Sequence, residues 1–197
     1  NPFLLTKNIF VQAPLIKKSG GGIVPWDILK KQIEIHLKQE PEAIVTTLID
    51  YYGIPEKYNY PGWTEAHNVQ DKTLRMDILE NAMCQSLSKK WQHRFIPYIQ
   101  LHEFEGLLFS DIKIFTNNFT DDEFVDFTAF EKIFETFPNP EDINDGEVSA
   151  PSKRLLYHIK GYNKIIYGAG LAQETGLTRI REKCPRFNSW INKIQQS

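Results

Sequence analysis

A histidine and two carboxylates, His102, Glu103 and Glu105, follow directly on an apolar run from Phe95 to Leu101. The run has the length and composition of a buried strand. In open α/β folds ligands bind beyond the carboxyl ends of strands, so acids at that point are better site candidates than acids on a helix face. A second apolar run, Ala43 to Asp50, also ends in a carboxylate, Asp50, followed by Tyr51-Tyr52-Gly53. Two strands that each deliver acid to a carboxyl tip predict a divalent-metal site. In a strand Glu103 and Glu105 share a face, about 7 Å apart, where they could hold one hard cation between them or bracket a pair. If the chain turns helical at His102, then His102 and Glu105 share the face instead. The competing expectation is that Glu103 and Glu105 cap the helix that follows, because acids favour a first helical turn. A strand-ending aspartate such as Asp50 is also a common turn former.

Cations that could meet an anionic substrate occur in Pro151-Ser152-Lys153-Arg154. Proline opens helices, and the free amides of a helix start attract anions. Lys153 and Arg154 there oppose the helix dipole unless an acid or a phosphate compensates. They are expected to contact phosphate, or else to pair with Asp142, Asp145 or Glu147. Lys17-Lys-Ser-Gly-Gly-Gly22 is a flexible basic loop and not a phosphate-cradling one, because it lacks the closing Gly-Lys-Ser/Thr. Lys160, Lys164, Arg179, Arg181, Lys183, Arg186 and Lys193 make the C-terminal end basic. That suits either a nucleic-acid backbone or a solvated face.

The elements that would position these residues are legible in outline. Ile9 to Ala13 predicts a short strand, Pro25 opens a helix that Pro41 stops, and the strand 43–50 follows. This βαβ-like order predicts parallel pairing. Residues 53–73 form a long loop, a feature usually tied to function or mobility. Met76, Leu79, Met83 and Leu87 mark a helix over 74–89. Beyond residue 112 helices are expected over 126–136, from Pro151, over 164–173 and over 177–184, with a last turn over 189–194. Phe115 to Phe137 there read as core. The expected organisation is an α/β core over 1–111, a small mostly parallel sheet flanked by helices, and a helical lobe over 112–197.

Composition bounds the rest. The 197 residues are 41% hydrophobic and 13% aromatic, enough for a packed core. A net charge of −2 gives no global pull toward nucleic acid or anionic membranes. Cys84 and Cys184 form neither a disulfide framework nor a zinc site, and fit a reducing cytoplasm. No run reaches the length of a membrane span. The chain opens Asn1-Pro2-Phe3 without Met, as if an N-terminal strand were missing upstream.

The segments Val45 to Pro55, Arg94 to Asp111, Ala150 to Arg154 and Cys184 to Trp190 resemble, in that order, a bacterial family catalogued as domain of unknown function four-two-seven-six. The resemblance implies a TOPRIM-like fold and a Mg²⁺- or Mn²⁺-dependent, nuclease-like effector. It also implies an ATPase partner in an anti-phage defence locus and a nucleic acid, DNA or RNA, as substrate. Carried onto this chain, Asp50, Glu103 and Glu105 become metal-binding catalytic residues. Lys153, Arg154 and His102 become substrate contacts. The pattern departs from TOPRIM at two points. The Asp-x-Asp signature reads Asp50-Tyr51-Tyr52, and the usual glutamate is expected upstream of Asn1. A non-catalytic regulatory or sensor subunit that docks on an ATPase is the alternative expectation.

Overall fold

The computed structural model describes residues 2–14, 16, 22–143 and 149–197. The fold is α/β and mostly helical, with two small parallel sheets. In chain order the elements are α1 (Pro2–Leu5), α2 (Trp26–Gln39), β1 (Val45–Thr46), β2 (Ile49–Asp50), α3 (Trp63–His67), α4 (Lys72–Gln85), α5 (Lys89–Gln92), β3 (Phe95–Ile96) and β4 (Ile99–Gln100). They continue with α6 (Lys113–Asn118), α7 (Phe127–Thr136), α8 (Pro151–His158), α9 (Lys164–Lys183) and α10 (Pro185–Gln196). Two compact units arise: Asn1–Leu101 with Trp190–Ser197, and His102–Ser189. Leu108 and Phe109 pack with Phe115, Phe130 and Ile133, which explains why the segment after His102 belongs with the back half of the chain. No helix among the described residues is long and apolar enough to cross a membrane.

In the first unit the parallel pairing joins residues 45–50 to 95–100. Val45 lies opposite Phe95 and Ile49 opposite Ile99. The expected strand over Ile9–Ala13 does not form, and Phe10 and Val11 are exposed. The βαβ order therefore holds for a later segment than expected, with α3, α4 and α5 as the crossover. Each expected strand is also split in two. Pro97 has no amide hydrogen to give to a ladder. Thr47 closes the gap: its hydroxyl accepts from the Tyr98 amide at 3.0 Å and donates to the Tyr98 carbonyl at 3.2 Å. Trp190 stacks on Tyr98 with centroids 4.6 Å apart, and its indole N–H donates to the Thr46 hydroxyl at 2.7 Å.

The sheet is covered by the apolar faces of α2 (Trp26, Leu29, Ile33, Leu37) and α4 (Met76, Leu79, Met83). Full burial of each such side chain contributes roughly 1.5–3 kcal/mol. Arg94 ties the end of α2 to the start of β3. Its guanidinium donates to the carbonyls of Leu37, Glu40 and Ala43, where a cation also suits the helix dipole.

In the second unit Phe109, Phe115, Phe130 and Phe134 pack at tilted and edge-to-face angles, with centroids 5.1–6.1 Å apart. The phenylalanines are core, as expected, although Phe127 is partly exposed. The helices expected over 164–173 and 177–184 are the two halves of α9, which deviates from helical geometry at Gly176 (φ 75°). Pro185 does more than end α9. It opens α10, which is longer than the single turn expected.

Candidate functional site

Asp50 closes β2 at its carboxyl end, opposite Gln100. It is half-buried, and its side chain does not cap the 3₁₀ turn Tyr51–Gly53 that follows. Beyond it residues 53–73, expected as a long loop, instead hold a 3₁₀ turn (Glu56–Tyr58) and α3, and α4 begins at Lys72. Tyr51 stacks on Trp63 at 5.9 Å, Trp63 on His67 at 6.5 Å, and the Arg75 guanidinium lies 5.8 Å from the Tyr51 ring. Arg75 also clamps the Val69 carbonyl with two donors, at 2.9 and 2.6 Å. Gly62 takes a left-handed conformation (φ 78°) against α4, where an added Cβ would sit 2.9 Å from the Ala82 Cβ. This segment borders an open surface pocket of about 430 Å³.

A carboxylate that sequence reasoning missed is Glu80, buried on the inner face of α4. Its Oε1 accepts from the Ile99 amide at 2.9 Å. A glutamate among Met76, Leu79 and Met83 on one helical face was the signal available in the sequence.

In the second unit the run after the strand becomes a 3₁₀ segment, Phe104–Ser110. Glu103 and Glu105 then meet different partners. Both Glu103 oxygens accept from Ser152, from its amide at 2.9 Å and its hydroxyl at 3.0 Å. Glu103 thus caps a helix, but α8 rather than the helix next in sequence. The anion position at that helix start is filled by this carboxylate, which compensates the cations of Lys153 and Arg154. Glu105 is buried and lies 3.7 Å from the Lys164 ammonium, which is itself largely exposed. Tyr162 is buried nearby. Burial first, then the Glu105 charge, pushes its phenol up to about 12. The Tyr162 hydroxyl has no hydrogen-bond partner among the described residues. His102 is buried at the head of this segment.

Lys153 is exposed. Arg154 donates from Nε to the Ser149 carbonyl at 2.8 Å, and its guanidinium lies 5.3 Å from the Phe137 ring. Of the expected ion-pair partners, Asp145 and Glu147 lie outside the described residues, as do residues 17–21 of the basic glycine loop, and Asp142 joins no ion pair with Lys153 or Arg154 among the described residues. Part of the C-terminal basic set is engaged locally. Lys160 donates to the Asp122 carbonyl, Arg179 pairs with Asp111 and Glu182, and Arg181 donates to Asn188. A second long-range cap accompanies that of Glu103: buried Glu141 accepts from the Arg186 and Phe187 amides at the start of α10, at 2.8 and 3.0 Å.

For a metal these facts divide the acids. Among the described residues no group of three or more His, Cys, Asp or Glu side chains is gathered to hold an ion. Glu103 would have to release Ser152 to bind one. Asp50, as a single carboxylate, is compatible with Mg²⁺, which takes one or two protein carboxylates and completes its shell with water and phosphate.

A family model described as Domain of unknown function (DUF4276) matches residues 1–195. No curated protein and no solved structure matches the chain.

Proposed function

This chain belongs to the family described as Domain of unknown function (DUF4276), and we propose that it is a TOPRIM-like, metal-dependent nuclease component of a bacterial anti-phage defence system that works with an ATPase. The observation that carries the reading is Asp50 at the carboxyl end of a parallel strand, the position at which α/β folds bind ligands. Within the first unit Asp50 is the residue that would take Mg²⁺ or Mn²⁺. Within the second, Glu105 pairs with the Lys164 ammonium and, among the described residues, accepts no backbone or hydroxyl hydrogen bond like those on Glu103. A bound Mg²⁺ supplies charge stabilisation at a cleaved phosphodiester and a more acidic water. Exposed Lys153 is positioned for phosphate contact, and Glu103 holds the α8 start that carries it.

A second reading, a non-catalytic subunit that docks on an ATPase, is favoured by the engagement of Glu103 with Ser152 and of Glu105 with Lys164. Calorimetric titration of Mn²⁺ into the chain, Asp50→Asn and Glu105→Gln separates the two. Binding lost in Asp50→Asn, with Mn²⁺-dependent cleavage of single-stranded DNA, duplex DNA or RNA lost in parallel, supports the nuclease. Absence of both binding and cleavage, with stable co-purification of an ATPase, supports the docking subunit.

A further inference from the structure

We propose that Gln100 is a substrate-contact residue whose side-chain amide donates to a phosphoryl oxygen of a nucleic-acid backbone brought to Asp50. The inference rests on the reading of Asp50 as the residue that takes Mg²⁺ or Mn²⁺, and adds a partner to it within the same unit. Gln100 pairs with Asp50 in the parallel ladder, so both side chains leave the same face of the sheet, on strands about 4.8 Å apart. Gln100 is 1% exposed, and buried side-chain polar atoms are as a rule hydrogen-bonded. Its Oε1 obeys the rule by accepting from the Tyr98 hydroxyl at 2.6 Å. Its Nε2 has no hydrogen-bond partner among the described residues. A buried donor left unmet is costly, so packing alone does not account for two N–H groups beside a strand-tip carboxylate.

A chain of contacts sets the direction of those donors. Tyr98 lies two residues before Gln100 on the same face. Its ring is stacked by Trp190 at 4.6 Å and 10°, and Trp190 is fixed by its indole N–H on the Thr46 hydroxyl. With Oε1 held back toward Tyr98, the planar amide turns Nε2 away from it, toward the carboxyl end of β4. The chemistry of the donor set then selects the occupant. Asp50 supplies acceptor oxygens for a cation, whereas Gln100 supplies donors alone. A water on a divalent cation commits its lone pair to the metal and presents protons outward, so it does not match an N–H donor. An anionic phosphoryl oxygen does, and hydrogen bonds to a charged acceptor are the stronger kind.

The test uses the ¹⁵N-labelled full chain in Mg²⁺ and follows the Gln100 side-chain NH₂ signals, assigned through bonds from its backbone, beside the Asp50 amide. The dinucleoside monophosphates TpT and UpU should shift the Gln100 NH₂ pair saturably. Thymidine and uridine, which lack the phosphate, should leave it in place. Gln100→Glu keeps an acceptor for the Tyr98 hydroxyl and exchanges the donors for a second carboxylate. It should tighten Mn²⁺ binding in calorimetry, because a second carboxylate joins Asp50, and weaken the dinucleotides about ten-fold. A purely structural Gln100 would not move the two affinities in opposite directions. Tyr98→Phe frees the amide to turn, and should weaken the dinucleotides about three-fold with Mn²⁺ affinity unchanged. If the dinucleotides shift the Asp50 amide but not the Gln100 NH₂ pair, or if Gln100→Glu lowers both affinities or neither, the Gln100 assignment falls while the nuclease reading stands. If neither Mg²⁺ nor the dinucleotides shift Asp50 or Gln100, both fall.

Discussion

Removing the Glu103 carboxylate should destabilise the second unit, and the magnitude follows from its contacts. Glu103→Ala deletes two hydrogen bonds to one charged group, those from the Ser152 amide and hydroxyl. Hydrogen bonds to a charged partner are worth ~1.5–3 kcal/mol, and loss of an N-terminal helix cap costs about 1 kcal/mol. Both donors sit on one residue and the group is only half-buried, so the terms overlap. We expect about 2 kcal/mol for Glu103→Ala and about 1 kcal/mol for Ser152→Ala, which leaves the amide contact in place. Their double-mutant coupling should be about 1 kcal/mol. The assay is amide exchange at Ser152 and through α8 in EDTA-containing buffer, because a chain of two units need not unfold in one step. An acid serving only as a metal ligand predicts the opposite sign in EDTA, since a site of like charges relaxes when one is removed. A Glu103→Ala effect below about 0.5 kcal/mol, or zero coupling to Ser152, would refute the capping argument.

Three further outcomes are expected. Gly62→Ala should cost about 1–3 kcal/mol, because the left-handed backbone and the approach to Ala82 both exclude a side chain; the melting temperature reads it directly. Burial pushes the Cys184 thiol from 9.0 up to about 12, so native Cys184 should resist iodoacetamide at pH 8 and react only on denaturation. The unfolded thiol ionises first, so this contribution to stability is complete below pH 9 and falls by roughly 1.4 kcal/mol per unit above it, a slope that Cys184→Ala should remove. His158 is depressed below 6.5 by burial and then by Arg154, with Asp126 opposing. Its contribution is therefore complete above pH 6.5 and lost as pH falls further. Its NMR titration midpoint should lie below 6.5.

The helices were legible where local chemistry and periodicity agreed. Pro25 starts α2, the Asp71 side chain caps α4 through the Leu74 amide, and Asp126 caps α7 through the Ala129 amide. The parallel pairing was legible as a type, but its partner was not. An apolar run such as Ile9 to Val11 records a preference for burial without naming the strand that would satisfy its backbone. Pro185 was ambiguous for a related reason: a proline ends one helix and suits the first turn of the next. Least legible were the caps, because Glu103 and Ser152 are 49 residues apart and Glu141 and Phe187 46. No local spacing rule reaches that far.

Those caps change how acids near strand tips should be weighed in this chain. Glu80, Glu103 and Glu141 each accept from a backbone amide of another segment: Ile99 in a strand, Ser152 at a helix start, and Arg186 with Phe187 at another. A buried amide left without an acceptor costs as much as a lost hydrogen bond. A fold with split strands and proline-led helices therefore recruits carboxylates for purely structural reasons. Position at a strand tip does not by itself separate a ligand from a cap; the identity of the donor does. By that criterion Glu103 is first a cap. Glu105, facing the Lys164 ammonium rather than a main-chain amide, is the second-unit acid whose partner a competing cation can displace without unwinding a helix. Mutational tests of the proposed catalysis should therefore begin with Asp50 and Glu105, with Glu103 as the stability control.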